Sequence, residues 1–405
     1  NIEVLNTTTL TNNDAVKAMI SSKTKDTETE ITTSLLSSYQ TTTKTLDNAQ
    51  TAFNLTTWYL GAKESKTYTL RLWLDENVNM NTEGVQNTKF SSKVVITASY
   101  IESVEGKEVL SYVKKNADSS STDVITVPGI SNDSCTYTLA YDGTSDNNLR
   151  YVGKNPCNYV TFNGEKAGWR IIGILNTPEG QRLKLIRAVS IGNYNWDNKA
   201  SGTGSSTNNS GSNDWTDSSL KEVLNNGAYY NRTSGTCPYG KNGATTSCDF
   251  TSSGLKTNLK NLVGNTLWNT GTNGTNSYTS ASNGLVSHFY GYERSSNNGK
   301  ICTSGTYCND TVTRTTTWNG KIGLMYPSDY GYATGGQSTS IRTMCLNKEL
   351  YARSTIAYCH DDDWLYNSYS WQWTFSPNAD SSYDNCVFYV SDSGYVSNDY
   401  AYYAG

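Results

Sequence analysis

The stretch Thr67-Tyr-Thr-Leu-Arg-Leu-Trp-Leu74 alternates: Tyr68, Leu70, Leu72 and Leu74 fall on one face, Thr69, Arg71 and Trp73 on the other. A period of two marks a half-buried strand, because successive side chains leave a pleated backbone on opposite faces. After the polar stretch Asp75–Thr88, a second such run goes from Phe90 through Val94 and Ile96 to Ala98. The two predict a hairpin, or its equivalent in a two-sheet sandwich. They lie in residues 1–105, a region without a cysteine that reads as a β-sandwich and a candidate assembly domain.

Downstream, residues 106–133 lose periodicity and gain Ser and Asp, with Pro128-Gly129 near the end, and read as a linker. From 134 to 405 the character changes to a cysteine-bearing, loop-rich domain. Trp169-Arg-Ile-Ile-Gly-Ile-Leu175, a turn at Asn176-Thr-Pro-Glu-Gly180 and Arg182-Leu-Lys-Leu-Ile-Arg187 predict a hairpin. A Gly/Ser/Asn loop at 201–213 precedes a helix started by Asp214 or Thr216, with Leu220, Val223 and Leu224 as its apolar face and Asn225-Asn-Gly227 as its stop. A second helix is expected from Leu255, Leu259, Leu262 and Val263, ended by Gly264, and short strands at Lys321–Tyr326 and Cys386–Val390. The fold class is mainly β with a few short helices, an α+β domain following a sandwich.

Composition narrows the function. The 405 residues suffice for two or three domains. Only 36% are hydrophobic and 17% charged, so Asn, Ser, Thr, Gly and Tyr carry the polarity. Disordered chains share that low hydrophobicity but lack aromatics; 10 Trp and 30 Tyr can fill a core, so the chain is folded. A net charge of −4 with no Lys/Arg run argues against nucleic acid as a partner. No apolar stretch reaches the roughly 18 residues of a membrane span. The chain begins at Asn1, without an initiator methionine, and reads as a mature secreted, cell-surface product whose signal peptide, with any anchor, lies outside these residues.

Nine cysteines point to an oxidising compartment. Four couples are close neighbours in loop-like sequence: Cys135 and Cys157, Cys237 and Cys248, Cys302 and Cys308, Cys345 and Cys359. Four sequential bridges would leave Cys386 over, so either that thiol is free or the connectivity differs. Zinc wants Cys-x-x-Cys knuckles or Cys/His sets; none occurs, and His288 and His360 are the only histidines.

The run from Thr67 to Glu76 followed by Phe90-Ser-Ser-Lys-Val-Val-Ile-Thr-Ala98 resembles the closing strands of the camelysin/TasA-type jelly roll. That resemblance implies a secreted bacterial matrix or filament protein whose subunits join by donating a strand. The 66 residues upstream are few for the remaining strands. Either the boundary lies elsewhere or another subunit supplies a strand. The later region resembles the C-type-lectin/formylglycine-enzyme-like fold. It is also similar to uncharacterised secreted bacterial domains through Asn158-Tyr-Val-Thr-Phe-Asn-Gly-Glu165, Trp169-Arg-Ile-Ile-Gly173, Asn213-Asp-Trp-Thr-Asp-Ser-Ser-Leu220, Gly323-Leu-Met-Tyr-Pro-Ser-Asp329 and Trp371-Gln-Trp-Thr-Phe-Ser-Pro377. Such domains continue past the final Gly with an Arg-Pro strand, which implies that the segment ending at Gly405 stops short of it.

No catalytic constellation emerges. Nucleophilic catalysis wants a base, most often His, and no Gly-x-Ser-x-Gly, Walker loop or His-Glu-x-x-His accompanies the two histidines. Asp361–Asp363 has the hard oxygens Ca²⁺ prefers, but three consecutive carboxylates converge only if the loop bends. No pattern selects two of the 36 acids for glycoside hydrolysis. The reading is therefore non-catalytic, without cofactor or metal. Residues 361–405 are different: Asp, Asn, Ser and Tyr dominate, with tryptophans interleaved. Rigid rings with polar tips make good binding surfaces. The candidate ligand-binding set is Trp364, Tyr366, Tyr369, Trp371, Trp373, Tyr383 and Tyr389, with Trp371 and Trp373 on one strand face. Two readings follow. One is a structural subunit of a filament or matrix, a homopolymer formed by strand exchange that displays its C-terminal domain. The other is a monomeric wall-anchored adhesin for a glycan or a host or cell-surface protein.

Overall fold

β-Branched threonine suits extended backbone, where its stiff side chain has little rotamer freedom to lose, and the first hundred or so residues are built on it. In the computed structural model, described over residues 2–6, 15–24, 27–39, 41–45, 49–56, 67–79, 81, 85, 92–96, 104–127, 135–178, 180–199, 211–272, 278–295, 314–380 and 383–405, the chain divides into two units, Asn1–Glu108 and Val109–Gly405. The strands of unit 1 are β1 (Ile2–Asn6), β2 (Val16–Thr24), β3 (Thr27–Leu35), β4 (Thr41–Thr45), β5 (Ala49–Thr56), β6 (Thr67–Leu74) and β7 (Ser92–Ile96).

They form two antiparallel sheets, ordered β3–β2–β6 and β4–β5–β1–β7. The alternating run is therefore a strand, but β6 and β7 are not hairpin partners: β6 pairs with β2 and β7 with β1. Val16, Ala18 and Ile20 of β2 share one buried cluster with Phe53 and Leu55 of β5, joined by the half-buried Tyr68, Leu70 and Leu72. Leu74, expected on that face, is 45% exposed at the strand's end. Phe90, Thr97 and Ala98 lie outside the described residues.

Unit 2 begins inside a helix. Of the segment read as a linker, residues 106–127 hold most of α1 (Val104–Asn116) and β8 (Ile125–Thr126). Val109 and Val113, one helical turn apart, are buried with Val127, Leu139, Leu149 and Tyr151. Lysines, serines and aspartates around that narrow apolar stripe hid it from a periodicity reading. Pro128-Gly129 lies outside the described residues.

The main sheet follows: β9 (Thr138–Tyr141), β10 (Leu149–Tyr151), β11 (Tyr159–Phe162), β12 (Glu165–Thr177) and β13 (Gly180–Arg187). Its order is β11–β12–β10–β9–β8, with β13 also on β12. Trp169 and Arg170 of β12 pair with both β11 and β13, so those two strands flank β12 on opposite sides. This leaves β13 as an edge. The β12–β13 hairpin is the one the turn residues predict. Gly173 is required where β12 meets β10, since a Cβ there would stand 2.6 Å from the Leu149 carbonyl oxygen.

The first expected helix appears as a 3-10 turn, Trp215–Asp217, running into α2 (Ser219–Asn225). Asp214 caps the turn and Ser218 the helix, each accepting from a backbone N–H. Leu220, Val223 and Leu224 are its buried face. Next come α3 (Ala228–Asn231), β14 (Ser234–Pro238) and β15 (Thr245–Asp249). The second expected helix is only a 3-10 turn, Thr257–Leu259: Leu255 is buried, but Leu262 is 62% exposed. The free carbonyls of Lys260 and Val263 instead accept from Lys321 Nζ.

The remaining elements are β16 (Thr266–Asn269), α4 (Val286–Glu293), β17 (Thr317–Gly320), α5 (Pro327–Ala333), α6 (Thr339–Leu346), α7 (Ala357–His360), β18 (Gln372–Pro377), β19 (Cys386–Val390) and β20 (Val396–Tyr400). The segment Lys321–Tyr326, expected as a strand, joins no sheet; Met325 O accepts from Phe375 N of the later Gln372–Pro377 strand at 2.8 Å, and Ile322 N donates to Asn225 Oδ1 at 3.1 Å. The strand one step earlier, β17, pairs with β16. β18, β19 and β20 form a three-stranded antiparallel sheet, with β19 wholly buried.

Among the described residues, three disulfides close Cys135 to Cys157, Cys237 to Cys248 and Cys345 to Cys359. Cys302 and Cys308 lie outside the described residues. Cys386 is a free, buried thiol whose pKa is pushed far up by burial and by Asp399, Asp384 and Asp380. Among the described residues, no helix is long and apolar enough to cross a membrane.

Candidate binding site

Unit 2 opens to solvent in two adjoining depressions on the side of β18. The smaller, of about 410 Å³, is lined by Trp371, Trp373, Tyr389, Asp399, Tyr403, Ala404 and Gly405. Antiparallel pairing sets Trp373 opposite Tyr389, and Tyr389 in turn opposite Ser397 of β20. Trp371, one residue before β18, lays its indole on Tyr389 at 4.6 Å between ring centres and 16° between planes. Trp373 stands at 88° to the same ring, 6.2 Å away. Both indole N–H groups are committed: Trp371 Nε1 donates to Asp392 Oδ1 (3.3 Å) and Trp373 Nε1 to the Tyr194 carbonyl (3.2 Å). The carboxylate in the lining is Asp399, whose Oδ1 accepts from Tyr400 N at 2.8 Å and whose pKa burial raises. Gly405 closes over Trp373 so tightly that a Cβ would stand 2.5 Å from its Nε1.

The larger depression, of about 1350 Å³, shares Trp371, Trp373 and Gly405 and runs the length of β13. Leu183 (60%) and Val189 (69%) are exposed along it. No strand among the described residues pairs with the outer edge of β13, and its residues 181–187 line the trough.

One wall of the trough backs onto buried charge. Arg150, from β10, bridges Asp142 (2.9 Å) and Asp329 (2.7 Å), and Lys184, from β13, meets the other Asp329 oxygen at 2.5 Å. Burial opposes Asp329 ionisation, but Lys184 and Arg150 outweigh it and pull its pKa to about 2. Glu293, at the end of α4, accepts from Ser328 N and Oγ and meets Arg294 at 3.2 Å. Burial dominates there and lifts its pKa to about 7. The Lys184 ammonium also lies over Tyr326, 4.3 Å from the ring centre.

The seven candidate residues separate. Trp371, Trp373 and Tyr389 meet at the smaller depression, while Trp364 and Tyr366 reach the larger one. Tyr369 is 94% exposed and Tyr383 is 38% exposed, and neither lines either depression. Trp364 works chiefly inside: it donates to the Tyr151 carbonyl (2.9 Å) and stacks on the Arg170 guanidinium (4.3 Å), whose other ring contact is Tyr159 (4.4 Å). Trp371 and Trp373 share a depression but not a state, being 39% and 9% exposed. Asp399 and Tyr403 were not singled out from the sequence, because Asp and Tyr are spread evenly through the tail.

The acidic triplet does not converge. Asp361 Oδ1 meets His360 Nδ1 at 3.0 Å, Asp362 accepts from Gln337 N, and Asp363 is buried 3.8 Å from Arg353. Among the described residues, no group of three or more His, Cys, Asp or Glu is placed to hold a metal. His288 lies on α4, half-buried, with its pKa lowered by burial, and lines neither depression. No protein-family model matches the chain, and no curated protein or solved structure matches it either.

Proposed function

We propose that this is a non-catalytic extracellular surface protein whose C-terminal unit is a lectin-like binding module, its ligand seated at Trp371. The observation that carries this reading is the pair of joined depressions with an aromatic wall, in a unit otherwise closed by disulfides and buried ion pairs. Rings held in place by strand pairing offer contact area at small entropic cost, and disulfides suit secretion. The test is binding of the chain to cell surfaces and to glycan and protein arrays. Trp371→Ala should weaken binding about tenfold, the worth of one stacked ring. Tyr369→Ala, outside both depressions, should leave it unchanged. Full binding by a folded Trp371→Ala variant would remove this site.

A second reading, a filament or matrix subunit joined by strand exchange, is favoured by a separate observation: among the described residues, β3, β6, β4, β7 and β13 each have one unpaired edge. Removing residues 1–20 is a poor probe of it, since β1 and β2 are interior strands of the two sheets. Negative-stain electron microscopy of the protein shed from cells discriminates, with regular filaments expected for assembly. A monodisperse monomer refutes it.

A further inference from the structure

The side chains around the smaller depression form a short inventory: two indoles, two phenols and one carboxylate, with Ala404 and Gly405. A sugar presents a ring of hydroxyls, each wanting a donor or an acceptor. This lining holds no amide, hydroxymethyl, guanidinium or ammonium group, and its indole N–H groups are already spent on Asp392 and Tyr194. What remains is aromatic faces, one carboxylate and two phenol hydroxyls that bond to Tyr395 and Tyr402. The ring planes of Trp373 and Tyr389 are nearly perpendicular, and Trp371 is nearly parallel to Tyr389, so the rings line the space in two orientations. The negative faces of aromatic rings attract cations, most strongly where water is excluded. A volume of about 410 Å³ is at the small end for a ligand pocket and suits a compact head group.

We propose that this depression binds an organic cation, a quaternary ammonium group or the ammonium of a lysine side chain, against Trp371, Trp373, Tyr389 and Tyr403, with Asp399 as its counter-charge. The proposal rests on the ligand-binding reading above and names the ligand class for that site. Unit 2 already uses the same chemistry internally, where Arg170 lies between Tyr159 and Trp364 at 4.4 and 4.3 Å from the ring centres. Just outside the lining, Lys241 Nζ lies 4.4 Å from the centre of the Tyr402 ring, so a cation at the aromatic tail has a precedent within the chain.

The experiment is a calorimetric titration of the full chain with choline, with tetramethylammonium, with Nα-acetyl-lysine amide, and with 3,3-dimethylbutanol, the uncharged isostere of choline. The charged probes should bind at least about tenfold more tightly than the isostere. Asp399→Asn keeps the acceptor for Tyr400 N and removes only the charge, and should lower choline affinity by about tenfold or more. Tyr403→Ala, at a residue 43% exposed, should weaken it without unfolding the unit. A preference for choline over the lysine probe assigns a quaternary head group, and the reverse assigns a protein side chain. Equal affinity for choline and its isostere overturns the proposal, as does an Asp399→Asn variant with native affinity. If a neutral glycan binds and needs Trp371 but not Asp399, the cation fails while the binding module stands. If nothing bound depends on Trp371, the module reading fails with it.

Discussion

In unit 1 the described ion pairs keep more contact with water: Lys17 Nζ meets Glu76 at 2.8 Å and Asp75 at 3.2 Å, and Arg71 meets Glu28 at 2.9 Å, with the Arg71 side chain half exposed and only Asp75 largely buried. Unit 2 has such pairs too, Lys348 with Glu349 among them, but adds a set that lies inside: Arg150, Asp142 and Asp329 keep at most 2% of their side-chain surface in contact with water. Surface pairs gain little, because water and salt screen them and ordering two long side chains costs entropy. Buried pairs are different in kind. Desolvation is costly whether or not the pair forms, so the pairing keeps that cost from going uncompensated. Unit 1 is held by strand pairing around a small, mostly aliphatic core with Phe53 in it, and without cysteines. Unit 2 adds disulfides, aromatic clusters such as Trp196, Trp215 and Phe375, and a charge network linking β10, β13 and α5. The contrast shows where each unit is vulnerable.

The largest effect should come from Asp329→Asn. It leaves Lys184 without its anion and Arg150 with Asp142 alone, and breaking a buried pair from one side costs about 3–5 kcal/mol. Eight of the ten tryptophans lie in 109–405, so urea unfolding followed by indole fluorescence reports chiefly unit 2. The unfolding free energy should fall by that amount and carry the midpoint down with it, whereas Arg71→Ala in unit 1 should hardly move a transition followed there. If the Asp329→Asn midpoint stayed within error of the native one, the inside-outside distinction would be wrong.

The alternation in Thr67–Leu74, the β12–β13 turn chemistry and the cap Asp214 are local signals, and each was legible because it acts within a few residues; Ser218, which caps α2 itself, was passed over for Asp214 or Thr216. Sheet membership was not. β6 and β7 both read as strands, yet only contacts with β2 and β1, far away in sequence, assign them to different sheets. Short helices such as α5 were hidden for a related reason: all of its side chains are buried, so no polar face marks its period. At the site, composition pointed to the aromatic tail but could not separate the core ring Trp364 from the half-exposed Trp371. Nor could it find Asp329, whose partners are about 145 and 179 positions away.

A finer test of the contrast is pH. Glu293 has a folded pKa of about 7 against an ordinary 4.5, because burial disfavours its charge more than Arg294 and Ser328 restore it. A carboxyl raised in the folded state means that the folded chain holds the proton longer than the unfolded one. Stability then falls as pH rises through the window from 4.5 to about 7, and the loss is complete above it. The size is on the order of 3 kcal/mol from a shift of that extent. Asp363, lifted by burial despite Arg353, adds to the same trend. Asp329 works the other way at lower pH: its depressed pKa of about 2 contributes stability above 3.8 that is lost as the solution becomes more acidic. Unit 2 should therefore be most stable between about pH 4 and pH 5 and weaken toward neutrality. Glu293→Gln keeps an acceptor for Ser328 but cannot ionise, while Arg294 retains Asp146 at 3.2 Å. The variant should flatten the decline measured by urea midpoints from about pH 5 to about pH 8, and gain on the native chain at the upper end. An unchanged slope would mean that Glu293 is ionised as readily in the folded unit as in water, and that the interior of unit 2 treats a carboxylate no differently from the surface of unit 1.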